Sequence, residues 1–310
     1  MNKGLNLPER VKVVEVGPRD GLQNEPDPVA TATKVAFINR LSNTGLSCIE
    51  VSSFVSPRWI PQLADATEVY THIEQKTDVS YPVLVPNERG MERALKAGVK
   101  VIAIFNAASE AFNQKNINAS IAKAFQRLEK VADIAKNENI AIRGYVSCVL
   151  GCPYEGAIDP QTVGTVARDL YQLGCYEISL GDTIGIGTPL RARKMLDVVT
   201  QHVAVNKLAV HFHDTRGQAL ANVLACLDYG ITTVDASVAG LGGCPYAEGA
   251  SGNLATEDLV YMLHGMEIET GIDLELLIAA GRFITKTMGR EPASRMGRLP
   301  KGRRQPRYTT

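Results

Sequence analysis

The chain has 310 residues, 45% of them hydrophobic and 21% charged, with a formal net charge of zero. That is enough apolar chain to fill the core of one large domain or two small ones, and it excludes the one-signed field that would argue for nucleic acid or a membrane surface as partner. No apolar stretch approaches the ~20 residues of a membrane span, no h-region of a secretory signal opens the sequence, and RYTT is not a peroxisomal address, so a cytoplasmic setting is expected.

Apolar, β-branched runs alternate with helical patterns eight times. Strands are expected at 11–16, 47–53, 81–85, 99–105, 141–149, 176–180, 208–212 and 232–238. Helical spacing falls between them at 33–41, 91–96, 121–135, 162–173 and 218–229, and another helix begins near Thr256. Gly45, Gly98, Gly174 and Gly230 stand at helix ends, where only a residue without Cβ adopts the left-handed conformation freely. Pro160 and Pro189 suit first turns. Such alternation argues for a parallel sheet, and eight repeats in about 250 residues match a closed (β/α)8 barrel. No Gly-x-Gly-x-x-Gly opens a first helix, which removes the main support for a dinucleotide-binding sheet. The expected fold is therefore α/β, a TIM barrel with one extra C-terminal helix at 274–288. Residues 1–290 form a single domain. Residues 290–310 carry seven Arg or Lys and one acid, Glu291, and 291–310 are expected to be a basic, flexible tail.

Six cysteines at 48, 148, 152, 175, 226 and 244 form no small-domain framework, which points to a reducing compartment. Cys148 and Cys152 are four apart, but no second pair follows at finger-like spacing. The sharper signal is His211-Phe-His213-Asp214 at the end of an apolar strand. Residues i and i+2 of a strand face the same way, so the two imidazoles project side by side and can bind a divalent metal. In a TIM barrel the active site lies at the C-terminal strand ends. Arg19-Asp20, Gln23, Glu50 with Ser52-Ser53, Tyr145 to Cys148, Ser179 to Thr183 and His211 to Asp214 fall there, followed by a glycine-rich loop with Cys244 and then Asn253. Each alone reads as a cap or a loop hydrogen bond; their joint arrival at one mouth does not. Imidazole and carboxylate together suit Mg²⁺, Mn²⁺, Co²⁺ or Zn²⁺.

The segments EVGPRDGLQNE (15–25), SFVSP (53–57), RGYVSCVLGCPYEG (143–156), EISLGDTIG (177–185), HFHDTRGQALAN (211–222) and SVAGLGGCPYAEGASGNLATEDLVYML (237–263) carry a resemblance to the 3-hydroxy-3-methylglutaryl-CoA lyases, within a metal-dependent superfamily of TIM-barrel carbon–carbon lyases. It spans roughly residues 11–290. The resemblance implies a divalent cation, Mg²⁺ or Mn²⁺, held by Asp20, His211, His213 and Asn253, with Glu50 supporting Asn253. It implies that Arg19 neutralises a thioester enolate, that Asp182 and His211 are acid/base candidates, and that Cys244 is a proton donor on a loop. Gln23, Ser53, Tyr145 and Ser179 resemble acyl-pocket residues. The implied partner is an acyl-CoA substrate, in leucine catabolism and ketone-body formation, with a homodimer as the assembly and no nucleic acid or membrane. The alternatives are a lyase for a longer 3-hydroxy-3-alkylglutaryl-CoA and an inactive, metal-dependent acyl-CoA-binding barrel. A condensing synthase of the superfamily would carry a further domain after the last helix.

Overall fold

Nine parallel strands form one sheet in this computed structural model, which describes residues 4–242 and 252–300. β1 (Lys12–Glu15) pairs with β2 (Cys48–Ile49) on one side and with β9 (Thr233–Ala236) on the other. From β9 the order runs through β8 (Leu208–Phe212), β7 (Glu177–Asp182), β6 (Ala141–Ser147), β5 (Val101–Ala107) and β4 (Val83–Leu84) to β3 (Ser52–Ser53). The two ends of that order, β2 and β3, are one extended segment parted only by Glu50 and Val51. Glu50 N–H donates to Glu15 O (2.8 Å) and Val51 N–H to Pro82 O (2.9 Å), so the segment is bonded to both neighbours and the sheet closes. β2 and β3 together are the second strand of an eight-stranded barrel, the TIM barrel that the alternation predicts.

The helices follow in order: α1 (Thr31–Ser42), α2 (Ala66–His72), α3 (Glu88–Lys96), α4 (Glu110–Ile117), α5 (Ile121–Asn137), α6 (Pro160–Gln172), α7 (Pro189–Val199), α8 (Ala219–Tyr229), α9 (Thr256–Gly265), α10 (Leu274–Thr287) and the short α11 (Arg295–Arg298). Gly45, Gly98, Gly174 and Gly230 have φ of 89°, 79°, 101° and 115°, the left-handed stops expected of them. Two elements escape the apolar pattern. α2 has only seven residues. α4 carries its apolar residues at 111, 112 and 117, which make no helical stripe; its start is fixed instead by Ser109 Oγ accepting Phe112 N–H at 3.0 Å. Among the described residues, no helix is long and apolar enough to cross a membrane.

The expectation of a flexible tail from residue 291 fails for 291–300. Ser294 and Met296 are buried, Asp258 accepts the N–H of Arg295 (3.0 Å) and Met296 (2.8 Å), and Arg282 donates to Gly297 O and Leu299 O. Basic composition suggested solvation; carboxylate acceptors and one buried methionine dock the segment against α9 and α10. Residues 301–310 lie outside the described residues.

Candidate metal centre and active site

A cavity of about 700 Å³ opens where the strands end, lined among others by Arg19, Asp20, Ser53, Tyr145, His211 and His213. Its walls bring together Asp20, His211 and His213, whose ligand atoms all lie within 4.8 Å of one another. Asp20 sits in a wide helical turn, Gly17–Gly21, that follows β1; Val16 O accepts the N–H of both Asp20 (2.8 Å) and Gly21 (3.1 Å), which throws the carboxylate over the barrel mouth. His211 is on β8 and His213 follows it, as the period-2 argument requires. Their rings lie 5.5 Å apart, and His211 Nε2 is 3.9 Å from Asp20 Oδ2.

Asn253 arrives from the far side of the glycine-rich segment. Leu254 N–H donates to Phe212 O (3.1 Å), laying 252–255 against the end of β8. Asn253 Nδ2 donates to Asp20 Oδ2 (2.8 Å) and to Leu241 O (3.1 Å). The close approach at Gly242 is one that only glycine allows: its φ is 97°, and a Cβ there would lie 2.6 Å from Asn253 Nδ2.

Electrostatics divide the cluster. Burial opposes the Asp20 charge, but Arg19, His211, His213 and the Asn253 amide together hold the carboxyl well below its usual range. Burial, with His211 next to it, lowers His213 to about 4, so this ring is neutral with a lone pair available near neutral pH. His213 Nδ1 is buried without a hydrogen-bond partner among the described residues. A carboxylate and two imidazoles, each with a buried Nδ1 that bonds nothing among the described residues, fit a divalent cation with hard-to-borderline preferences.

Arg19 is the fixed positive charge beside this cluster. Nη1 donates to Asp20 Oδ1 (2.6 Å) and Nε to Glu50 Oε2 (2.7 Å), and the side chain is buried. Glu50 accepts a second bond from the Tyr145 hydroxyl (3.2 Å), and its other oxygen has no partner among the described residues. Glu50 therefore supports Arg19 and Tyr145, not Asn253 as the resemblance implied; Asn253 takes its support from Asp20 and Leu241 O.

The remaining expected residues part ways. Gln23, Ser53 and Tyr145 line the cavity, and Gln23 Oε1 has no partner among the described residues. Ser179 does not line it. Its hydroxyl points into the barrel and donates to Asp235 Oδ2 (2.8 Å). Asp182 also turns away: its fully buried carboxylate accepts the N–H of Ile186 (3.3 Å) and Gly187 (2.8 Å), organising the loop after β7. Burial raises its pKa against those bonds. That geometry offers Asp182 the role of a loop anchor in place of an acid/base group facing substrate. Cys244 lies outside the described residues.

Sequence reasoning passed over two groups of residues. Arg143 and Asp235 are charged residues inside apolar β-branched runs, a signal that could have been read as an inward-facing ion pair. The outer cavity wall takes Trp59, Lys115 and Asn116 from the segment before α2 and from α4, neither of which has a legible pattern, and Arg127 from α5, a helix the apolar spacing does predict.

Two buried carboxyl groups brace the site from behind. Glu15 accepts the N–H of Gly17 (2.7 Å) and Val238 (2.9 Å) and the Thr256 hydroxyl (2.7 Å), tying the Asp20 turn to the segment after β9 and to α9. Glu257 accepts Ala239 N–H and the Ser294 hydroxyl. Burial raises Glu15 to about 7 and Glu257 to about 8. The unfolded chain releases these protons near 4.5, whereas the folded chain keeps them, so the folded state binds more protons between those values. Stability should fall as pH rises from about 4.5 to about 8, each group contributing on the order of 3–5 kcal/mol, and level off above. Thermal unfolding of Glu257→Gln should show a flatter pH dependence than the parent; an identical slope would refute the assignment.

The HMGL-like family matches residues 10–284. The chain is 58% identical over 290 residues to the mitochondrial hydroxymethylglutaryl-CoA lyase of Pongo abelii, covering 94% of this chain and 89% of that protein. It is 53% identical over 291 residues to the 3-hydroxy-3-isohexenylglutaryl-CoA/hydroxy-methylglutaryl-CoA lyase of Pseudomonas aeruginosa, covering 94% and 97%. An Acinetobacter baumannii HMG-CoA lyase solved with coenzyme A and 3-methylmalate superposes with a TM-score of 0.91 at 37% identity, over 96% of this chain and 97% of that one. The chain belongs to the HMGL-like family.

Proposed function

We propose that the chain cleaves 3-hydroxy-3-methylglutaryl-CoA to acetyl-CoA and acetoacetate in a divalent-metal-dependent retro-Claisen reaction. The observation that carries this reading is the convergence of Asp20, His211 and His213 with the buried charge of Arg19 at one cavity, in a chain 53–58% identical to lyases of that substrate. Asp20, His211 and His213, with the Asn253 amide against Asp20, would hold the cation, Mg²⁺ or Mn²⁺ in this proposal, and when bound it supplies Lewis-acid polarisation of substrate oxygens.

The rest of the chemistry belongs to the chain. The tertiary hydroxyl gives its proton to a base; the oxygen pair becomes the acetoacetate carbonyl as C2–C3 breaks, and the bonding pair passes to the thioester as an enolate. His211 is the acid/base candidate that lines the cavity; with its Nε2 lone pair on the cation it has none for the hydroxyl proton, which passes to water in the cavity. Arg19 cannot swing away, because Asp20 and Glu50 hold two of its nitrogens, and a positive charge already in place stabilises the enolate without reorganisation. The ring of Tyr145 packs beneath the Arg19 guanidinium, 5.5 Å from its centroid. The outer wall carries Lys115 and Arg127, charges that suit the phosphates of an acyl-CoA, and coenzyme A is what the Acinetobacter baumannii relative holds.

Cys244 is the proposed donor of the final proton to the enolate carbon, a thiol being a far stronger acid than an alcohol. Cys244→Ser should keep the fold and lose most of kcat while KM changes less; equal kcat in the two proteins would remove the thiol from the mechanism. The substrate is tested by incubating the metal-loaded protein with HMG-CoA and with its 3-isohexenyl analogue and following acetyl-CoA release. Faster turnover of the analogue would move the reading to the longer acyl chain. The proposal extends to a cytoplasmic homodimer serving leucine degradation, which cell fractionation, sedimentation and growth of a deletion strain on leucine would test.

A further inference from the structure

Below the cluster, the barrel interior holds an arginine for which the reaction has no direct use. Arg143 on β6 is fully buried. Its Nη1 and Nη2 donate to Asp235 Oδ2 (3.0 Å) and Oδ1 (2.7 Å), and its Nε donates to Glu177 Oε1 (2.7 Å). Ser179 adds its hydroxyl to the same Asp235 Oδ2 at 2.8 Å. Burying such charges costs several kcal/mol per ion before their attraction returns it, and aliphatic side chains would fill a barrel layer without that cost. The two-pronged arginine contact and the serine do one further thing: they fix the plane of the Asp235 carboxylate.

That carboxylate faces the metal centre. Asp235 is the register partner of His211 across β9 and β8, so the two side chains share a face. His211 Nδ1 lies 3.4 Å from Asp235 Oδ2, long for a hydrogen bond, and no other group bonds that nitrogen among the described residues. The opposite ring nitrogen, Nε2, is the one directed at Asp20. A tautomer with the proton on Nε2 would set a lone pair against the buried carboxylate and leave no lone pair facing the cluster.

We propose that Asp235, clamped by Arg143 and Ser179, is a positioning residue that holds the His211 proton on Nδ1 and so keeps the Nε2 lone pair turned to Asp20 and the cation. A carboxylate behind a ligating histidine fixes both the tautomer and the ring angle, and losing such a partner typically costs ~10–100-fold in metal affinity. This inference rests on the metal-centre reading, so its first test uses the metal-free protein.

Nitrogen-15 NMR of the metal-free protein, at a pH where the His211 ring is neutral, should show a protonated Nδ1 and an unprotonated Nε2; the reverse tautomer overturns the proposal. Asp235→Asn should then weaken Mn²⁺ binding, read by calorimetry, by ~10–100-fold; an unchanged Kd overturns it. Should that variant fail to fold, Ser179→Ala keeps the ion pair, removes one donor from the carboxylate and should still weaken Mn²⁺ binding a few-fold; no change in Kd overturns the clamp. Glu177→Gln loosens Arg143 on the side away from His211 and should lower Tm while leaving Kd unchanged. An equal loss of affinity in Glu177→Gln would make the effect one of general barrel stability and overturn the assignment. Wild-type protein that shows the Nδ1–H tautomer but binds no Mn²⁺ supports the positioning and refutes the metal-centre reading instead.

Discussion

Arg19→Gln should lower kcat on HMG-CoA by at least ~10²–10³-fold, the usual cost of one lost oxyanion donor. The charge acts on an enolate that exists only as C2–C3 breaks, so the loss belongs in kcat and not in KM alone. From sequence, the substitution is expected to leave folding nearly intact. The structure revises that expectation. Arg19 is buried and neutralises both Asp20 and Glu50, and taking one partner from a buried pair typically costs ~3–5 kcal/mol. Thermal unfolding should therefore show a lowered Tm beside the lost turnover. Steady-state kinetics below that Tm separate the two effects; a change confined to KM would make Arg19 a substrate anchor only.

Asp20→Asn should cut Mn²⁺ affinity by at least the ~10–100-fold that outer-shell partners typically contribute, and turnover should fall with it. Asp20 is the one carboxylate in the cluster, and Arg19 and the Asn253 amide hold it ionised and aimed. Asparagine keeps the shape but removes the charge, leaving two imidazoles that meet a hard cation poorly. Calorimetric titration reads the change directly. Wild-type affinity in this variant would place the cation elsewhere.

Much of this was legible in the chain because the barrel writes its two periods plainly. β8 begins and ends where its apolar run does, and His211 and His213 face one way because strands alternate. The glycine stops at 45, 98, 174 and 230 marked helix ends for the same local reason. What stayed hidden depends on partners distant in sequence. Which way Ser179 points is set by Asp235, 56 residues on. Glu50 finds Arg19 and Tyr145 rather than Asn253 because β2, β1 and β6 meet inside the barrel, a fact of closure that no local pattern carries. The docking of 291–300 turns on the Asp258 carboxylate and not on tail composition. Short α4, built on a cap without an apolar stripe, left its share of the outer cavity wall, Lys115 and Asn116, unread.

The central claim is a divalent-metal-dependent carbon–carbon lyase, and one measurement tests it most directly. The protein is stripped with EDTA, dialysed, and assayed for acetyl-CoA and acetoacetate release from HMG-CoA before and after Mg²⁺ or Mn²⁺ is restored. The account predicts negligible turnover without metal and recovery of both products, in equal amounts, when it is returned. Full activity of the metal-free protein would contradict it.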